Sequence, residues 1–280
     1  MEGRISSEML ADFGRRLRES ERSESTVENY LRAVRRFAAW LGGGELTREA
    51  AALWKEELCR SGLSPATVNN MLTALNRFLE LGGFAECRVR LLRLQRRLFR
   101  ETGRELTRGE YERLLGAAER LGRERLALAI ETMCAAGLRV SELGAITVEA
   151  AREGRAEIRL KGKIRTILLP GKLCRKLLRY AAKRRIGSGA IFLSRGGRRL
   201  DRRRIWEEMK LAAREAGVEE RKVFPHNLRH LFARCFYRAT RDISKLADIL
   251  GHSSLNTTRI YLISTGEEHE RLLNGLRLVQ

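Results

Sequence analysis

Apolar side chains recur every three or four positions through the opening stretch of the chain, the spacing of helices that bury one face. Met9, Leu10, Phe13 and Leu17 mark one such helix, and Val27, Tyr30, Leu31, Val34, Phe37 and Leu41 mark a second. A third is expected over Thr47 to Arg60. The fourth has clear punctuation. Ser64 can accept from first-turn amides, Pro65 suits the first helical position, and Gly82-Gly83 stops the run after Val68, Met71, Leu75, Phe78 and Leu79. Four helices on short loops predict a compact bundle.

Between Arg88 and Arg104 the composition shifts to arginine, after which Thr107 and Glu110 have the spacing of a capping box. A domain boundary is therefore expected near residue 101, giving units 1–100 and 101–280. In the second, Leu126, Leu128, Ala129, Ile130 and Met133 predict a buried helix ending at Gly137, a good left-handed cap, so that Arg139 emerges at a helix end. The period then changes to strand-like over Ala156 to Leu160 and Arg165 to Leu169, with a tight turn at Lys161-Gly162-Lys163-Ile164. A further short strand is expected over Ala190 to Ser194. Helices resume around Ile205, near Asn227 to Ala239, at Ile243 to Leu250 and over Thr257 to Ile263. The fold class is mainly α with a small antiparallel β-sheet, and no internal repeat or low-complexity segment interrupts it.

Composition narrows the function classes. The chain has 280 residues with 56 Lys and Arg against 35 Asp and Glu, a net charge of +21, which points to a polyanionic partner. Residues 1–100 hold 18 basic and 13 acidic side chains, so the second domain carries most of the field. Nucleic acid is favoured over membrane, because no apolar run approaches the roughly 20 residues that span a bilayer. The start, Met1 to Ser6, lacks the apolar stretch of a secretory signal. Cys59, Cys87, Cys134, Cys174 and Cys235 form no CxxC pair and fit reduced thiols in the cytoplasm.

Candidate chemistry lies in three runs: Gly137-Leu138-Arg139-Val140-Ser141-Glu142-Leu143, Pro225-His226-Asn227-Leu228-Arg229-His230, and Leu250-Gly251-His252 followed by Tyr261 nine positions after the histidine. Each has a bland reading. Arg139 could be a solvated arginine after a cap, Lys161 and Lys163 could blunt a sheet edge, His230 could be a packed core histidine, and Tyr261 could cover a helix interface. His226 and His230 stand one helical turn apart. They lack the acidic residue of HExxH, and Arg229 would put a positive charge beside any cation, so a metal site is disfavoured. His226 with Arg229 instead suits two donors converging on an anion.

Taken in order, Arg139, a hairpin lysine, His226-x-x-Arg229, Gly251-His252 and Tyr261 resemble the active-site series of the tyrosine recombinase (integrase) superfamily. The likeness is firm over residues 105–280. The first hundred residues are similar in pattern to the helical, SAM-like core-binding domain of such enzymes, and the length suits the compact Xer-like type without a further arm-binding module. The resemblance implies a site-specific DNA recombinase that cleaves and rejoins strands through a 3′-phosphotyrosine link, in integration, excision or dimer resolution. Tyr261 is implied as nucleophile, Arg139 and Arg229 as stabilisers of the pentacoordinate phosphorane, His226 as general acid/base, and His252 as a donor to phosphate oxygens. A hairpin lysine is implied as the proton donor to the leaving oxygen. Lys161 is preferred by its place at the strand end, with Lys163 the alternative, because the hairpin is shorter than the familiar GKGxKxR form.

Such chemistry stores the bond energy in the phosphotyrosine and uses arginines in place of metal, so no cofactor is expected and Mg²⁺ should be dispensable. The implied partners are a double-stranded recombination site, a homotetramer on two duplexes passing through a Holliday junction, and an accessory recombination factor. The tail after Gly266, with Leu272, Leu273, Leu276, Leu278 and Val279, has the apolar content to dock on a neighbouring subunit. The arginine-rich stretches Lys172 to Arg185 and Arg195 to Arg204 are either solvated faces or phosphate contacts. Competing readings are a type IB topoisomerase-like relaxing enzyme and a catalytically silent, architectural DNA-binding protein. RNA binding fits less well, because few aromatic residues are available for base stacking.

Overall fold

The computed structural model describes residues 4–94, 103–160, 163–194, 196–198, 200–252, 254–262 and 274–276, with backbone only at residues 159, 160, 163 and 262. The chain divides into two compact units, Met1–Arg96 and Arg97–Gln280.

The first unit is the expected bundle: α1 (Ser7–Glu19), α2 (Glu24–Leu41), α3 (Arg48–Arg60) and α4 (Pro65–Leu81). Ser6, Thr47 and Ser64 each accept from an amide of the first turn that follows, which satisfies donors the helix itself cannot. The apolar stripes meet in a core where Phe13 packs edge-on against Phe78 at 5.3 Å and Phe37 lies 5.0 Å from Trp54. Two asparagines on α4 do work that hydrophobic spacing does not reveal. Asn69 pairs both ways with the backbone of Leu92 (2.9 and 2.8 Å), and Asn76 does the same with Val89 (2.8 and 3.0 Å). Two turns apart on one helix, they hold an extended segment as a neighbouring strand would.

In the second unit the helix α6 (Glu124–Ala135) is central. It is apolar nearly all round and packs against α5 (Arg108–Arg120), α8 (Gly171–Lys183), α9 (Arg202–Glu215) and α10 (Pro225–Thr240). The capping box forms: Thr107 Oγ1 accepts from the Glu110 amide at 3.2 Å, and Glu110 accepts from the Thr107 amide at 2.8 Å. Beyond α6, a 3-10 turn at Val140–Ala145 leads to α7 (Val148–Glu153) and the antiparallel hairpin β1 (Arg155–Leu160) and β2 (Lys163–Leu168). The strand β2 starts two residues earlier than expected. After α10 come α11 (Ile243–Leu250), α12 (Leu255–Arg259) and a 3-10 turn, Ile260–Leu262.

Two outcomes differ from the sequence expectation. Residues 190–194 do not form a strand; Ala190 makes one antiparallel bridge to Thr147, and the Ile191 amide donates to the Ile146 carbonyl at 3.0 Å. The partner is a loop just before α7, too short to extend a ladder, while Ile191 and Phe192 are buried as the apolar run requires. The helix expected over Thr257 to Ile263 is a five-residue α-turn that tightens to 3-10 geometry at Ile260. The α7 and α8 helices were not singled out by apolar spacing. The hairpin turn at Lys161-Gly162 and all of the apolar tail after Gly266 except Leu276 lie outside the described residues.

Candidate active site

The site is built around Arg229, whose side chain is wholly buried (0% exposed) although it is charged. Pro225 opens α10 at its first position, and Arg229 follows one turn after His226. Its guanidinium donates to the Gly137 carbonyl at 2.5 Å and the Leu250 carbonyl at 2.7 Å, and it contacts His252 Nε2 at 3.0 Å. Those carbonyls lie at the C-terminal ends of α6 and α11, where the helix dipoles present negative charge. Among the described residues no carboxylate pairs with Arg229, and its Nε has no partner. Burial first, and then the charge of Arg139, weaken its hold on its proton, while the nearby phenol of Tyr261 acts the other way.

Gly137 makes this contact possible. Its φ is +61°, and a Cβ there would stand 2.6 Å from Phe232 Cδ1. No other residue type lets the chain turn beneath α10 while offering its carbonyl to Arg229.

Arg139 is the next member. Its Nη1 donates to Glu142 Oε1 at 2.9 Å and its backbone amide to Glu142 Oε2 at 2.8 Å. Glu142 is only 3% exposed, and its Oε2 also accepts from Arg165 Nη2 at 2.6 Å. One buried carboxylate therefore sets two arginines, one from the 3-10 turn and one from β2. Arg165 donates further to the Ile249 carbonyl at 2.9 Å.

His252 follows α11. Arginine has no acceptor, so His252 Nε2 receives the Arg229 bond and the imidazole proton belongs on Nδ1, which donates to Thr258 Oγ1 at 2.9 Å. Burial, then the charges of Arg229, Arg139 and Arg165, push the His252 pKa down to about 4. The ring is neutral at pH 7. Tyr261 stacks on it at 5.6 Å with 9° between planes, and also meets His230 at 4.4 Å and His226 at 5.9 Å. The tyrosine is 4% exposed, packed with Ala233, Leu246 and Leu250 in a small cluster separate from the main core. His226 sits more openly, at the rim of a cleft of about 740 Å³ that Arg139, Arg202 and Trp206 also line. Desolvation and the charges of Arg229, Arg139 and Arg202 lower its pKa.

Arg139, His226, Arg229, His252 and Tyr261 thus come together from five places in the sequence. Lys161 lies outside the described residues, and Lys163 is described as backbone only, at the start of β2. His230 is half-buried against two rings instead of resting in a core. Sequence reasoning missed three participants. Glu142 is signalled only by standing three residues after Arg139, Thr258 only by its spacing from His252, and Arg165 by standing where the GKGxKxR form ends in arginine. Among the described residues, no group of three or more His, Cys, Asp or Glu side chains is placed to hold a metal ion.

The sequence pattern of the phage integrase family matches residues 104–268, more than half of the chain. The chain belongs to the phage integrase family. The family's N-terminal SAM-like domain matches residues 10–81. Within the family it is a Xer-like tyrosine recombinase, a site-specific recombination enzyme. Tyrosine recombinase XerA of Thermococcus kodakarensis is 30% identical over 281 residues, covering 98% of this chain and 97% of that protein. Among solved structures, XerH site-specific recombinase bound to a palindromic difH substrate in a post-cleavage complex superposes with a TM-score of 0.74 at 20% identity, covering 98% of this chain and 84% of that one. A lambda integrase tetramer bound to a Holliday junction gives 0.70 at 20% identity, covering 91% and 76%. At those identities the structures speak to the fold alone.

Proposed function

We propose that this recombinase cleaves and rejoins double-stranded DNA at a specific site, with Tyr261 as the nucleophile of a covalent 3′-phosphotyrosine intermediate. One observation carries the reading: a fully buried arginine, without a carboxylate partner among the described residues, stands beside a tyrosine ring packed on three histidines. An unpaired buried cation is costly, and a phosphate diester is the ligand that would neutralise it. Arg139 and Arg229 would hold the non-bridging oxygens as charge builds on the phosphorane. The Tyr261 oxygen bonds to phosphorus, the bond to the 5′ oxygen breaks, and that oxygen takes a proton from the hairpin lysine, assigned to Lys161. His226 serves as general acid/base and takes the Tyr261 phenol proton as that oxygen bonds to phosphorus. When a phosphate engages Arg229, His252 Nε2 is released from that bond, and protonation or the other tautomer lets it donate to the same phosphate.

The bond energy stays in the phosphotyrosine, so strand transfer needs no nucleotide and no metal ion. Residues 1–100 would act as the core-binding domain and residues 101–280 as the catalytic domain. The +21 net charge supports a nucleic-acid partner. The lambda integrase tetramer on a Holliday junction supports a homotetramer exchanging one pair of strands at a time, with the tail after Gly266 docking between subunits. An accessory recombination factor and a cytoplasmic setting complete the reading.

The test mixes two labelled duplexes carrying the cleavage site with the protein in EDTA, and scores junctions and exchanged strands alongside relaxation of a supercoiled circle. Exchange between duplexes is expected. Relaxation without exchange would transfer the reading to a topoisomerase-like enzyme, and tight binding with neither reaction to a silent binding protein.

A further inference from the structure

The strand β2 is aliphatic on both faces, with Ile167 buried in the core. Ile164 and Leu168 face solvent at 65% and 77% exposure, while Arg165, paired in register with buried Ile158, turns inward with a side chain only 14% exposed. A half-buried strand ordinarily faces its aliphatic residues inward, because a one-residue slip would exchange the two faces. Here that slip would bury Ile164 and Leu168 but expose Ile167, which lies 3% exposed on the same face as Arg165. Apolar burial alone therefore chooses weakly between the two registers, and the ties of Arg165 add to it.

Arg165 joins three segments. Nη2 bonds Glu142 beside Arg139 at 2.6 Å, and Nη1 bonds the Ile249 carbonyl at the end of α11 at 2.9 Å. Its stem runs beneath Gly251, where a Cβ would stand 2.4 Å from Arg165 Cδ. A glycine before His252 is already favoured by the φ of +65° at this cap of α11, and it also leaves room for this side chain. Each joined segment brings a proposed participant: the turn brings Arg139, the end of α11 brings His252, and β2 is the arm of the hairpin that bears Lys161 and Lys163.

We propose that Arg165 is a positioning residue, which clamps β2 to the arginine and histidine centre and so fixes where the hairpin lysine meets the leaving oxygen. This rests on the phosphotyrosine reading above. A two-stranded hairpin is marginally stable alone, and β1–β2 is the whole of the sheet among the described residues. Its placement comes from the burial of Ala156, Ile158 and Ile167 in the main core together with side-chain ties, of which a two-pronged guanidinium fixes orientation as well as distance.

The experiment follows covalent adduct formation on a nicked duplex bearing the cleavage site, made once with the natural diester and once with a sulfur atom replacing the 5′ bridging oxygen. A thiolate leaves without a proton, so the second substrate does not need the general acid. Arg165→Gln should slow cleavage of the natural substrate on the order of 100-fold, the range a general acid contributes. On the sulfur substrate it should come within about threefold of wild type on that same basis. Arg165→Lys, which keeps the charge against Glu142 and loses the fork, should show a smaller loss with the same rescue. It also serves if the glutamine variant does not fold, and Gly251→Ala should reproduce the pattern by displacing the arginine. Equal slowing on both substrates, or none on either, would overturn the proposal. If wild type made no Tyr261-dependent adduct on either substrate, the phosphotyrosine reading itself would fall and take this one with it.

Discussion

Replacing Glu142 with glutamine keeps the shape and removes the one negative charge that Arg139 and Arg165 share. The carboxylate accepts from the Arg139 amide, Arg139 Nη1 and Arg165 Nη2. A glutamine has one accepting oxygen, so in either orientation its NH₂ faces a donor. Breaking a buried ion pair costs about 3–5 kcal/mol when the surviving charge stays buried. Arg139 is 39% exposed and regains water, whereas Arg165 at 14% does not, so about half that cost, roughly 2 kcal/mol, is expected. At about 2–4 °C per kcal/mol for a unit of this size, the melting temperature should fall by roughly 4–8 °C. Thermal unfolding by circular dichroism reads this directly. The variant also adds one positive charge to a site proposed to receive phosphate, so saturating duplex should close at least half of the gap. A melting temperature within about 1 °C of wild type, with and without DNA, would refute the assignment of Glu142 as the shared counter-ion.

Gly137→Ala should be more damaging than its size suggests. The positive φ costs about 1–2 kcal/mol and the clash with Phe232 about 1–3 more, and the displaced carbonyl releases Arg229. Both the melting temperature and adduct yield should drop, and a variant that lost neither would contradict the contact. The histidines give a pH signature. The folded pKa of His252, about 4, lies below its ordinary 6.5, so the unfolded chain binds more protons between those values. The stability contributed by its neutral form is full above pH 6.5 and lost as pH falls towards 4, with His226 acting in the same direction. His252→Gln should flatten the fall of melting temperature with pH across that window, and an unchanged slope would argue against a neutral, buried ring.

Much of the fold was legible because the first unit obeys local rules. Amphipathic spacing with Ser64-Pro65 and Gly82 sets α4, and the Thr107–Glu110 box sets the start of α5. The site was legible as residue types, since Arg139, His226, Arg229, His252 and Tyr261 sit in short recognisable runs. The electrostatic construction beneath them was not. Arg229 finds its partners in helix-end carbonyls 92 and 21 residues away, and Arg165 reaches Glu142 from 23 residues away. Such ties depend on tertiary placement and leave little periodic trace. The failed strand at Ala190 to Ser194 teaches the same lesson: buried Ile191 and Phe192 mark an apolar run, but a ladder also needs a partner of matching length.

The central claim is that Tyr261 attacks a DNA phosphate without help from a metal ion. A pool of randomised nicked duplexes is incubated in EDTA with wild type or Tyr261→Phe, denatured, digested with protease, and the DNA-linked peptide identified by mass spectrometry while the captured DNA is sequenced. A 3′-linked adduct on the peptide containing Tyr261, made by wild type and absent from the phenylalanine variant, is the expected result. An adduct that persists in Tyr261→Phe, or that maps to another residue, would contradict the account.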